Sequence, residues 1–188
     1  MSQVENADSF PVESEVFDKV LACYKPDCRY LTSAIVERPA VKARAYDEDG
    51  PVLSLACEFS IPHSCYIDDT GHFNAVEFII CLNQMYYMGG AVGAVYGLVP
   101  ALADMSFEEF LRRQLPDSLI HKLRSTFKRE IDAASFHGRI AFPLIEQRGK
   151  FIVLETTCSY WDDKDGYADG EVDYVIIDRT GQEPAASS

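Results

Sequence analysis

Asn74-Ala75-Val76-Glu77-Phe78-Ile79-Ile80-Cys81-Leu82-Asn83-Gln84-Met85-Tyr86-Tyr87-Met88 is the stretch whose reading decides the fold, and Gly89, Gly90, Gly93 and Gly97 follow it before Pro100. No residue from Phe78 to Ala103 is charged, a run long enough to raise the question of a membrane span. Its composition argues against one. Asn83, Gln84, Tyr86 and Tyr87 interrupt the run, glycines crowd its second half, and no basic flank anchors it. The residues predict a helix from about Asn74 to Met88 that ends in a glycine-rich break. Such a helix is apolar nearly all round, so other elements of a globular domain must wrap it.

The flanking sequence supplies the wrapping. Val12 to Cys23 places Val16, Val20 and Leu21 on one helical face, and Pro26 stops it. From Arg29 to Ile61 the texture changes to short strand-like runs, the last two separated by an Asp49-Gly50-Pro51 turn that suggests a hairpin. After the central helix, Ser106-Phe107-Glu108-Glu109 has capping-box spacing and opens a short helix that closes before Pro116. Leu119 to Arg129, Ser135 to Gln147, Phe151 to Trp161 and Glu171 to Asp178 then read as strands joined by turn residues. One buried helix with six or seven antiparallel strands is an α+β domain in which a curved sheet wraps a helix.

The chain has 188 residues, 47% hydrophobic and 12% aromatic, enough for one domain with a sizeable core. We expect a flexible N-terminal tail at 1–11, a single domain at 12–179 and a flexible C-terminal tail at 180–188. Seventeen Lys and Arg face thirty Asp and Glu, a net charge of −13, so no global field attracts nucleic acid or an anionic membrane. Any anionic partner must meet a local basic patch. The N-terminus has neither a basic nor an apolar region of the secretory kind, and the six cysteines contain no CxxC pair. They read as reduced thiols of a cytoplasmic protein.

Polar residues concentrate just before the central helix, from Pro62 to Glu77. A helix N-terminus offers unpaired N–H groups and the positive end of the dipole, which favour an anion or a developing oxyanion. Gly71 permits close approach to the backbone there, and His72 is a candidate general base. Asn74 and Glu77 are neighbours on the helix, but the same spacing serves as a plain cap, and both readings stand. Tyr66 reads as core or as a donor. His63, Cys65 and His72 match no zinc spacing, so no metal and no cofactor are expected. Arg112 to Arg129 holds six basic residues against one acidic. In its strand, Leu119, Leu123 and Phe127 share one parity and Lys122, Arg124 and Lys128 the other, so the charges should line one face. That face is either solvated or a docking ridge for an acidic carrier protein or coenzyme A phosphates.

Several of these blocks carry a resemblance. Cys28-Arg29-Tyr30-Leu31, Tyr66-Ile67, Thr70-Gly71-His72-Phe73-Asn74-Ala75-Val76-Glu77 and Cys81-x-Asn83-Gln84 resemble FcoT-type long-chain acyl thioesterases of actinobacteria. The likeness continues through Leu119-Ile120-x-Lys122-x-x-Ser125-x-Phe127-x-Arg129 and from Trp161-Asp162 to Gly170-Glu171, so it covers most of the chain. It implies a hot dog fold that pairs into dimers, with active sites at the subunit interface. It also implies a branch, found in streptomycete secondary metabolism, that adds glycine to a (2E)-enoyl thioester on an acyl carrier protein. That branch then releases a 3-(carboxymethylamino) fatty acid. The expected catalytic residues are His72, Tyr66, Asn74 and Glu77, with Gly71, Phe73 and Asn83 at the oxyanion or substrate. Lys122, Arg124, Lys128 and Arg129 are the expected docking residues for carrier protein or coenzyme A. The alternatives are a thioesterase without glycine addition and a non-catalytic acyl-binding module.

Overall fold

The computed structural model describes residues 9–38, 53–68 and 70–177. The Asp49-Gly50-Pro51 turn and the expected C-terminal tail lie outside the described residues. Strand β1, Phe10–Pro11, falls inside the stretch expected as N-terminal tail and pairs with Val36 and Ile35 of β2, Leu31–Arg38. Helix α1, Ser14–Leu21, lies between them and buries the expected Val16, Val20 and Leu21. Next come β3, Leu53–Phe59, the long helix α2, Ala75–Val95, and the short helix α3, Phe107–Arg113. The chain continues with β4, Ser118–Arg129, β5, Phe136–Arg148, β6, Phe151–Trp161, and β7, Tyr167–Ile177.

The seven strands of the described residues form one antiparallel sheet in the order β1-β2-β3-β5-β6-β7-β4. The alternation of β6 and β7 places Leu154, Cys158, Tyr160, Val172 and Tyr174 on the inner face. There they pack on α2, whose Phe78, Cys81, Leu82, Met85 and Met88 are almost wholly buried. Phe73, Phe78, Phe136 and Tyr160 form one aromatic cluster, and the rings of Tyr86 and Tyr174 stack at 3.6 Å. A sheet folded around a central helix in this way is the hot dog fold. By length and composition α2 could cross a membrane, but most of it is buried inside the domain.

Three expectations need correction. The helix does not break at its glycines; it runs to Val95 through Gly89, Gly90 and Gly93. A Cβ at Gly89 would lie 2.5 Å from the Phe142 ring and one at Gly90 2.6 Å from the Phe110 ring, so the glycines admit sheet and α3 to the helix backbone. The even parity of β4 also fails, because a bulge between Ile120 and Lys122 shifts the register. Leu119, opposite Val175, therefore shares the outer face with Lys122 and Arg124, while Ile120, Leu123 and Phe127 turn inward opposite Tyr174, Val172 and Ala168. Finally, the cysteines are not all reduced. Cys28 and Cys65 form a disulfide, whereas Cys23, Cys57, Cys81 and Cys158 are free.

Candidate active site

The site grows from the way α2 begins. Asn74 is extended, with φ −121° and ψ 178°, and its Oδ1 accepts from the N–H groups of Val76 and Glu77. Glu77 returns the bond, its Oε2 accepting from Asn74 N at 3.1 Å, which completes a capping box. The other oxygen, Oε1, accepts from Ser64 Oγ at 3.1 Å, and the residue is only 3% exposed. Glu77 is therefore committed to holding the helix start and the preceding loop, not to orienting His72. Tyr66 donates its hydroxyl proton to Asn74 Oδ1 at 2.7 Å. With Oδ1 receiving three donors, the amide orientation is fixed and Nδ2 is the face left to work, its nearest protein acceptor being Thr70 Oγ1 at 3.4 Å. The Tyr66 hydroxyl proton is thus engaged at Oδ1, and Nδ2 is the donor that the cap itself does not use.

His72, Phe73, Asn74 and Ala75 line a groove of about 430 Å³ whose far wall is Phe127, Lys128, Arg129 and Glu130 at the end of β4. Gly71, with φ +80°, makes the turn that brings His72 to the groove. The His72 side chain is exposed there, while its carbonyl accepts from Thr70 Oγ1 at 2.8 Å. Phe73 plays a different part from the expected one. Its N–H donates to Ile131 O at 3.0 Å and its ring is buried, so it anchors the floor of the groove instead of receiving an oxyanion. Ala75 also lines the groove; its N–H is the first helical amide, and the Asn74 cap engages Val76 and Glu77 instead of it. Sequence gave no sign of a backbone donor at a particular alanine. Ser64 was missed for the same reason, since only folding brings it to Glu77.

Asn83 does not belong to this group. It lies nine residues along α2 from Asn74, about 13 Å at 1.5 Å per residue, and accepts from the Tyr174 hydroxyl at 3.1 Å. Gln84 beside it is structural: Oε1 accepts from the N–H groups of Tyr30 and Leu31, and Nε2 donates to Cys28 O at 2.7 Å. The Tyr30 hydroxyl in turn accepts from Cys65 N at 2.9 Å. Four sequence blocks far apart in the chain, around Cys28, Cys65, Asn74 and Gln84, are thereby one connected scaffold.

The basic segment is more divided than its sequence implies. Arg113 is taken inward, pairing with Glu109 and Asp117 and donating to Ile177 O at 2.7 Å. Lys122 and Arg124 lie opposite Asp173 and Glu171 of β7, Lys128 pairs with Asp169, and Arg129 sits 3.9 Å from Asp165. A shallow groove of about 650 Å³ on the outer face mixes Arg124, Lys128 and Arg139 with Asp169 and Glu171. The segment expected as a docking ridge is thus a mixed-charge surface, with its cations nearest the groove at Lys128 and Arg129.

The FcoT-like thioesterase domain matches residues 19–176. A Streptomyces coeruleorubidus protein named (2E)-enoyl-[ACP] glycyltransferase is 37% identical over 170 residues, covering 88% of this chain and 97% of that protein. A Mycobacterium marinum protein of the same name is 31% identical over 178 residues, covering 93% and 91%. Among solved structures, a Staphylococcus aureus protein in complex with CoA aligns with a TM-score of 0.46 at 13% identity, covering 71% of this chain and 75% of that one. The capped helix and its groove lie inside the matched region, and the match runs from α1 almost to the end of β7: this chain belongs to the FcoT-like thioesterase family.

Proposed function

We propose that the groove at the start of α2 adds glycine to C3 of a (2E)-enoyl thioester on an acyl carrier protein and then hydrolyses the thioester. The product is a 3-(carboxymethylamino) fatty acid. Family membership and the names of the relatives support this reading. The observation that carries it is the convergence of one exposed imidazole, one oriented amide and one uncapped backbone N–H on a single groove, with two cations on the opposite wall.

Both reactions place charge on the same oxygen, which is why one donor set serves both. In the addition, His72 takes a proton from the glycine ammonium and the freed lone pair forms the N–C3 bond. The C2–C3 π pair moves toward the carbonyl, and the enolate oxygen rests on Asn74 Nδ2–H and Ala75 N–H. The proton then returns from His72 to C2. In the hydrolysis, His72 takes a proton from water, the oxygen adds to C1, and the same donors hold the tetrahedral oxyanion. Collapse expels the carrier thiol with that proton. Tyr66 and Glu77 act through Asn74 as positioning residues. Lys128 and Arg129 offer the groove's positive charge to the glycine carboxylate or the carrier phosphate, while Lys122 and Arg124 meet the carrier further along β4.

The working unit is a homodimer. Ile120, Leu123 and Phe127 of edge strand β4 are 41%, 38% and 42% exposed although they face the helix side, and Val76 on α2 is 47% exposed. A second copy laid along this edge covers that surface and extends the sheet. We place the protein in the cytoplasm, with its carrier.

The test is incubation of the enzyme with an enoyl thioester, with and without glycine, followed by mass spectrometry of the released acid. The expected result is the glycine adduct in the first tube. Unmodified acid in both tubes would leave only the simpler thioesterase activity, and no release in either would leave a binding module.

A further inference from the structure

We propose that Cys28 and Cys65 are a reversible thiol–disulfide site that latches the Tyr66 loop to the core, so that the redox state of the pair sets the rate at the groove. This rests on the proposed role of Asn74 and Tyr66 in catalysis. The two cysteines stand on unequal ground. Cys28 ends the 3-10 turn Pro26–Cys28, whose carbonyl is clamped to Gln84, a side chain with no solvent exposure in the middle of α2. Cys65 lies in irregular backbone, where Pro62, His63, Tyr66, Ile67 and Asp68 are all exposed. Among the described residues, that loop is tied to the rest by the hydrogen bonds Cys65 N to Tyr30 Oη, Ser64 Oγ to Glu77 Oε1 and Tyr66 Oη to Asn74 Oδ1. The disulfide, with a Cα–Cα distance of 5.5 Å and a sequence separation of 37, adds a covalent cross-link. The last two of these hydrogen bonds end on the capping box, so a loop that moves disturbs the donor geometry of Asn74.

Three of the four free thiols do not compete. Cys57, Cys81 and Cys158 are buried, and burial pushes their pKa up, that of Cys158 to about 12, so they stay protonated and inert. Cys28 and Cys65 are half-buried near the surface, within reach of small thiols. An enzyme that meets a carrier protein in the cytoplasm works where thiols are held reduced, so a disulfide there is poised and not permanent. The chemistry is exchange. A low-molecular-weight disulfide oxidises the pair through a mixed disulfide, accepts its two electrons and two protons, and leaves as two thiols; a dithiol reductant reverses this.

The experiment compares full-length enzyme equilibrated with oxidised glutathione and with dithiothreitol, scored by intact mass, by turnover and by hydrogen exchange of residues 62–68. Reduction is expected to add two hydrogens, to lower kcat/KM by about tenfold to 100-fold, the upper figure being what misplacing a catalytic group by about 1 Å can cost, and to speed exchange in the loop. Cys65→Ser and Cys28→Ala should show the reduced behaviour in both buffers, and Cys23→Ser should respond like wild type. An enzyme that keeps all thiols free in oxidised glutathione, or one whose turnover and loop exchange ignore the state of the pair, overturns the proposal. If the oxidised wild type makes no glycine adduct, the functional reading fails instead, and loop exchange and thioester hydrolysis still decide the latch.

Discussion

In the proposed mechanism one residue, Asn74, serves both stability and chemistry. Its Oδ1 caps α2 and receives the Tyr66 hydroxyl, while Nδ2 is the group assigned to substrate. The two halves are separable. Asn74→Asp keeps an acceptor at the cap and replaces the donor with a negative charge, so folding should hold to within about 1 kcal/mol while kcat falls by about 100-fold or more. Asn74→Ala loses both, and thermal unfolding should report a further loss of about 1 kcal/mol. Equal activity in wild type and Asn74→Asp would remove the residue from the oxyanion site. The Asn74-x-x-Glu77 spacing was legible because capping is local. The choice of Asn74 over Tyr66 as donor was not, since it depends on which way the Tyr66 hydroxyl points across an irregular loop.

At the scale of elements, α2 was legible as a buried helix but its length was not. Glycine costs a helix roughly 1 kcal/mol relative to alanine, so a run of glycines reads as a break. Here the Phe142 and Phe110 rings press on the bare backbone and tertiary packing overrides propensity. Gly89→Ala should therefore destabilise the protein by about 1–3 kcal/mol in chemical denaturation despite better helix propensity. An unchanged midpoint would mean that the ring simply moves. The bulge in β4 is the other element that alternation could not foretell, because one extra residue flips everything beyond it.

The β6–β7 turn carries a pH dependence. Burial raises the pKa of Asp162, but the N–H groups of Asp132, Gly166 and Lys164 outweigh that and hold it below the usual carboxylate range. A carboxylate depressed on folding contributes stability above its unfolded pKa of about 3.9 and loses it as pH falls through the folded value. Thermal scans should thus show stability falling below about pH 4, with a shallower decline in Asp162→Asn. An identical acid limb in the variant would rule out this turn as a contributor.

For the whole molecule, the acidic balance leads to the expectation that any anionic partner must find a local patch, yet folding spends much of the basic segment on Glu109, Asp117, Asp165 and Asp169. What remains favours a weak, screened encounter with a carrier. The KM for a carrier-bound thioester should rise several-fold between low salt and about 0.5 M, over which the screening length shortens from tens of ångströms to a few, while a pantetheine thioester should be little affected. Matching salt responses would place carrier recognition elsewhere. The proposed dimer belongs to this scale too. Leu123→Asp should shift the light-scattering mass from two chains to one and depress activity with it.

The central claim is that a single groove, worked by His72, performs both carbon–nitrogen bond formation and thioester hydrolysis. The measurement that bears on it most directly takes His72→Ala through the two half-reactions separately: glycine addition to an enoyl pantetheine thioester, and hydrolysis of a preformed 3-(carboxymethylamino)acyl thioester. Both rates should fall together, by about 100-fold or more for loss of a general base, with the fold intact. If either half-reaction proceeds at the wild-type rate, the two steps do not share this site.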